Sequence, residues 1–194
     1  MTILNYLKTT PTIKNLNQNI RPNSQQLLLG INGTARAATI ASLFSTQPRP
    51  MLVITDTQAH AEQLYSDLVQ LLNVDVVYHF IAEESLATEM AVSSPELRFM
   101  RVTTLLAIQK KQPVIVVANV IGAERLLPAP KILQTAQLNL KVQNQYNLSE
   151  IQDKLLTMGY EQNNLVQGPG EFAHRGAIID IFPINADNPI RLDF

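Results

Sequence analysis

Three predominantly apolar runs, Met51-Leu-Val-Ile-Thr55, Val74 to Phe80 and Val114-Ile-Val-Val-Ala118, are separated by stretches of helical periodicity. This alternation constrains the fold more than any other feature of the chain. A strand that is apolar throughout is buried on both faces, which is the condition of a parallel sheet held between helical layers. The intervening stretches supply those layers. Asp56 or Thr57 can cap a helix in which Ala61, Leu64, Leu68, Leu71 and Leu72 fall at helical spacing. Ser94-Pro95-Glu96 combines a capping hydroxyl, a proline at the first helical position and a carboxylate near the positive helix end. It predicts a helix running to about Lys111, with cations in its last turn. Ala35 to Phe44 is Ala-rich, free of Gly and Pro, and suits a third helix. Ahead of it, Leu27-Leu28-Leu29-Gly30 reads as a short buried strand entering a glycine turn. Residues 1–24 read as a short helix (Ile3, Leu4, Leu7) and a polar lead-in.

The alternation stops near residue 126, where Leu127-Pro-Ala-Pro130 is the clearest break in the chain. Two domains are expected: residues 1–126 as an α/β domain and residues 127–194 as a small α+β domain. In the second, Gln137 to Gln143 alternates, with Leu138, Leu140 and Val142 on one face, as in a half-exposed strand. Asn147-Leu-Ser-Glu150 looks like a capping box for a helix carrying Ile151, Leu155 and Met158 inward, with Gly159 as its stop. Short strands are expected at Leu165-Val166, from about Glu171 to Phe182, and from Ile190 to Phe194.

Composition narrows the function. Lys+Arg number 15 against Asp+Glu 16, a formal net charge of −1. That lacks the basic excess of a domain gripping nucleic acid through phosphates. There is no cysteine, so disulfides, Fe–S clusters and thiolate zinc sites are excluded. His60, His79 and His174 lie far apart and show no metal-ligand spacing. The N-terminus lacks the pattern of a signal peptide, and no apolar run approaches the roughly 20 residues that span a bilayer. The chain reads as cytoplasmic, with no membrane association and no cofactor.

A phosphate loop, Gly-x-x-x-x-Gly-Lys-[Ser/Thr], uses its glycines to wrap backbone N–H groups round the phosphates. Its lysine neutralises their charge and its hydroxyl holds magnesium. The corresponding stretch here is Gly30-Ile-Asn-Gly33-Thr-Ala35-Arg36-Ala37. Gly30 and Gly33 remain, but Ala35 stands for the later glycine, Arg36 for the lysine and Ala37 for the hydroxyl. Arginine keeps the charge with a different shape. Alanine cannot ligate magnesium, whose charge stabilisation drives phosphoryl transfer. The run Val114–Ala118 also leads into Asn119 rather than a magnesium-binding carboxylate. The glycines are then read as shaping a strand-to-helix turn, with a residual anion site at Arg36 left open.

Gly170-Glu-Phe-Ala-His-Arg-Gly-Ala-Ile-Ile-Asp-Ile-Phe-Pro183 and Pro189-Ile-Arg-Leu-Asp-Phe194 are the most distinctive stretches. They resemble the consecutive strands of the UvrB-like region shared by the excision-repair protein UvrB and the transcription-repair coupling factors (Mfd). Glu89-Met-Ala-Val-Ser-Ser-Pro-Glu-Leu-Arg98 and Gly33-Thr-Ala-Arg-Ala37 resemble runs of the coupling factors rather than of UvrB, which keeps a working phosphate loop. The resemblance extends from about residue 25 to the end of the chain. It implies a degenerate P-loop-like domain followed by a small domain that recruits UvrA. RNA polymerase and DNA would be engaged by other domains of the full protein, including its ATP-driven motor. By motif position the UvrA-binding residues fall on Arg175, Arg191 and Asp193. Strand alternation independently places Arg191 and Asp193 opposite Ile190, Leu192 and Phe194. Phe172 is expected to be partly exposed and to join the contact. Ala173 and Gln162 stand where UvrB-like patterns carry arginine, so the patch is less basic than the family's. His174 reads as a solvent-facing strand residue rather than a base.

Two other functions stay open at this stage. One is a helicase-like ATPase whose variant loop still works, and the other is a structural or autoinhibitory piece of a larger protein. On residue properties alone, Arg175 can equally be an ordinary surface arginine, and Arg191 with Asp193 an exposed pair contributing at most about 1 kcal/mol.

Overall fold

The computed structural model describes residues 3–82, 95–184, 186 and 188–194. The chain divides into two compact units, Met1–Arg125 and Leu126–Phe194.

The first unit opens with α1 (Ile3–Thr9) and α2 (Pro11–Asn19), two helices where the sequence suggested one. Then come α3 (Thr34–Thr46), β1 (Met51–Thr55), α4 (Gln58–Leu71), a 3-10 turn (Val74–Val76), β2 (Val77–Phe80), α5 (Pro95–Gln109), β3 (Ile115–Asn119) and α6 (Val120–Ala123). The strands form a parallel sheet in the order β1-β3-β2, which is the parallel α/β arrangement that the apolar runs predict. Thr57 caps α4 by accepting a hydrogen bond from the His60 N–H at 3.2 Å. Ser94, the expected cap of α5, lies outside the described residues, as does most of the Glu89–Arg98 stretch; α5 ends at Gln109, short of the lysines.

One face of this sheet is packed by α1, α3 and α4. Leu4, Ala37, Ala41, Phe44, Ala61, Leu64 and Leu68 meet Val77, Ile115 and Val117 there. On the other face Phe80, Val114, Val116 and Ala118 pack with Tyr78 and Leu105. The expectation of cover on both faces needs correction at β1. Leu52 and Ile54 are 62% and 52% exposed, while Met51 and Val53 pack into the first core. A second correction concerns Leu27–Leu29, which form no strand; Leu27 and Leu29 are more than four-fifths exposed. A strand exists by pairing its backbone with a neighbour, and three leucines supply no such partner.

At the C-terminal end of β3 the buried Asn119 side chain joins three segments. Its Oδ1 accepts from the Ala82 N–H at 3.1 Å and the Gly122 N–H at 2.9 Å, and its Nδ2 donates to the Ala82 carbonyl at 2.8 Å. It thereby caps α6 and fixes the chain leaving β2.

The second unit holds α7 (Pro130–Thr135), α8 (Leu148–Thr157), β4 (Glu161–Gln162), β5 (Glu171–Arg175), β6 (Ile178–Ile181) and β7 (Ile190–Asp193). The sheet order is β4-β5-β6-β7, with β4 parallel to β5 and the rest antiparallel. Asn147 caps α8 through the Ser149 N–H at 3.1 Å, and Gly159 ends the turn beyond it at φ +85°. Ile151, Leu155, Tyr160, Phe172, Ile179 and Ile181 make the core. Two expected strands are absent. Gln137–Gln143 is irregular, with Gln143 at φ +71°, yet Leu138 and Leu140 still pack on the core. Leu165-Val166 is also loop, and the short pairing segment lies earlier, at Glu161-Gln162.

Candidate functional site

The sheet of the second unit has one core-facing side and one charged side, and the hairpin register decides which residue goes where. Gly176, at φ +61°, supplies the left-handed turn that joins β5 to β6. Residues directly opposite in a ladder share a face. The pairings Phe172↔Ile181 and Ile181↔Ile190 therefore make one cross-strand row on the core side. Ala173↔Asp180 and Asp180↔Arg191 make a row on the other side, and so do Arg175↔Ile178 and Ile178↔Asp193.

Arg175, Arg191 and Asp193 are thus gathered on a single face, and all three are exposed. Phe172 is not part of it. Its side chain points the other way and is 0% exposed, at the centre of the core. The expectation of a half-exposed aromatic contact is corrected: residues 172 and 173 alternate across the strand, and Phe172 takes the buried side. His174 is exposed, with its Nε2 2.8 Å from the Gly176 carbonyl.

Both arginines are held by acceptors of the unit itself. Arg175 donates from Nη2 to the Asn164 carbonyl at 2.5 Å. Arg191 donates from Nε and Nη2 to the two carboxylate oxygens of Asp180, at 2.6 and 2.8 Å. The strand partner of Arg191 is therefore Asp180, a residue that the sequence reading passed over. The signal was available only in part: β5–β6 register follows from the two-residue turn, whereas β6–β7 register crosses a longer loop. The Arg191 hydrogen bonds hold the Asp180 carboxyl below its usual range, and Asp180 in turn raises the guanidinium. Arg175 adds a smaller Coulombic pull on Asp180.

Ala173, where the resemblance to UvrB led to an expectation of arginine, is 3% exposed in the row of Asp180 and Arg191. Gln162 lies in register with Phe172, and Glu161 with Glu171. The Glu171 carboxylate accepts from the Gln167 and Gly168 N–H groups at 2.7 and 3.1 Å, which lowers its pKa and fastens the loop before β5.

The glycine turn of the first unit is a different kind of place. Gly30 and Gly33 take φ of +77° and +53°, so the backbone itself calls for glycine. A Cβ at either position would meet nothing within 4 Å. The Ala35 and Arg36 N–H groups bond to the Asn32 and Gly33 carbonyls at 3.3 and 3.0 Å. Arg36 is exposed, whereas Ala37 is 0% exposed and packs into the core beside Ala41. Among the described residues no cluster of His, Asp or Glu could hold a metal ion, and no helix is long and apolar enough to cross a membrane.

Comparison with known proteins shows what this chain is similar to. Residues 138–194 match the model of the UvrB interaction domain. A transcription-repair-coupling factor of Bacillus subtilis (strain 168) is 33% identical over 169 residues, 87% of this chain and 14% of that protein. The Staphylococcus aureus (strain MRSA252) protein of the same name is 30% identical over the whole chain and 16% of its own length. The chain thus spans about a sixth or less of the curated relatives it matches. It is a relative of the transcription-repair-coupling factors along its length and carries a UvrB interaction domain in its second unit.

Proposed function

We propose that the second unit is a docking module for UvrA, acting in transcription-coupled nucleotide excision repair. The observation that carries the reading is the gathering of Arg175, Arg191 and Asp193 on one exposed sheet face, within the residues that match the UvrB interaction domain. Held arginines on one sheet face are suited to a partner's carboxylates, because little side-chain freedom is lost on binding. A calorimetric titration of UvrA with the chain tests this. Saturable binding that weakens as salt rises is expected, and no heat of binding at micromolar concentrations would remove the proposal.

In this reading the first unit is a scaffold without nucleotide chemistry. Support comes from Ala37, whose side chain lies in the core, and from Ala35 and Arg36, whose N–H groups already have carbonyl partners. The ATP-driven translocation on DNA and the engagement of RNA polymerase are assigned to parts of the protein beyond this chain. A titration with magnesium and millimolar ATP is expected to show no binding to the chain; saturable binding would restore a nucleotide-dependent first unit.

A further inference from the structure

A guanidinium has two bidentate edges, one formed by Nε and an Nη and the other by the two Nη groups. Asp180 takes the Nε–Nη2 edge of Arg191 with both carboxylate oxygens, at 2.6 and 2.8 Å. The end-on edge is left over, on a side chain that is 66% exposed, while Asp180 is recessed at 21%. We infer that Asp180 is a positioning residue for UvrA docking: it holds Arg191 so that the end-on edge faces a partner carboxylate. This rests on the reading of the face as the UvrA-binding surface.

The alternative geometry would make Asp180 a competitor, occupying the edge that a partner needs. The structure argues against competition on two grounds. The edge that Asp180 uses is directed across the sheet to β6, where both carboxylate oxygens are already engaged and the side chain keeps only a fifth of its surface exposed. The other edge is the one Asp180 leaves free, on a side chain that keeps two thirds of its surface exposed. Fixing a long side chain before binding removes part of the entropy cost that association otherwise carries. Arg175 is treated in the same way, since the Asn164 carbonyl holds one Nη of an exposed residue. Asp180 is thus the charged counterpart of a backbone tether.

The test is a double-mutant cycle in UvrA affinity with Asp180→Ala, Arg191→Ala and the pair, made in the 194-residue chain. Asp180→Ala is expected to weaken binding about two- to ten-fold, the range for releasing one ordered side chain. Arg191→Ala should weaken it more, and the pair should bind like Arg191→Ala alone. Asp180→Glu should recover part of the affinity, which a merely structural defect would not allow. Thermal unfolding of each variant reports folding separately. Unchanged or tighter binding by folded Asp180→Ala would overturn the inference and leave UvrA docking intact. Failure of the parent chain to bind UvrA would instead overturn the functional reading itself.

Discussion

The side-chain amide of Asn119 pairs with both main-chain polar groups of Ala82, accepting from its N–H at 3.1 Å and donating to its carbonyl at 2.8 Å. An aspartate at this position, the residue type a magnesium site would want, cannot make the second bond. Asn119→Asp would set a carboxylate against the Ala82 carbonyl in a fully buried site, at a cost of at least about 1–3 kcal/mol. Denaturant unfolding should show a lower midpoint with an unchanged slope. A variant as stable as the parent would mean that the clamp contributes nothing.

The same corner predicts a steric result. A Cβ on Gly122 would lie 2.6 Å from the Phe80 carbonyl oxygen and 2.8 Å from Asn119 Oδ1. The backbone contact cannot give way without moving β2 or α6, so Gly122→Ala is expected to lose about 1–3 kcal/mol. Ala at Gly122 with no loss of thermal stability would show that the corner relaxes freely.

His79 makes stability depend on pH. Its ring stacks on Tyr65 with centroids 4.8 Å apart, it is 7% exposed, and Nε2 has no hydrogen-bond partner among the described residues. Burial lowers its pKa from the usual 6.5, against a smaller opposing pull from Glu62. The unfolded chain therefore takes up this proton first as pH falls. The stability linked to His79 is intact above pH 6.5 and is lost as pH drops through that value toward the lower folded-state pKa. Unfolding midpoints measured from about pH 8 to 5 should fall in the parent, and His79→Phe should flatten the fall. Equal slopes for the two would contradict this assignment.

Phe172 separates a packing role from a contact role. As the largest fully buried side chain of the second unit, its replacement by alanine should cost about 3–5 kcal/mol. Circular dichroism during heating should show loss of the second unit's structure at lower temperature. If Phe172→Ala instead stays folded to the parent's temperature and only UvrA affinity falls, the side chain is a contact after all.

The sequence made the strands and helices of the first unit legible where burial is strongest, because β3 is buried at every position and apolar up to Asn119, and α4 carries leucines at helical spacing. It misled where an apolar run has no sheet neighbour, as at Leu27–Leu29. Alternation at Gln137–Gln143 picked out Leu138 and Leu140, which pack on the core, but also Val142, which is 94% exposed, and it did not say whether the backbone joins a ladder. The charged face was readable on each strand by itself. Its pairing was not, since Arg191 meets Asp180 only through a register fixed across the β6–β7 loop. Phe172 went astray for a simpler reason: one strand in isolation does not say which of its two faces is the core.

The central claim is that Arg175 and Arg191 form a docking face for UvrA, and the most direct measurement is calorimetric affinity of UvrA for the chain and for Arg175→Ala/Arg191→Ala. Both side chains are exposed, so the double variant should fold and melt close to the parent. Loss of two interface arginines is expected to weaken binding at least about ten-fold. A folded double variant that binds UvrA as tightly as the parent would contradict the assignment of this face.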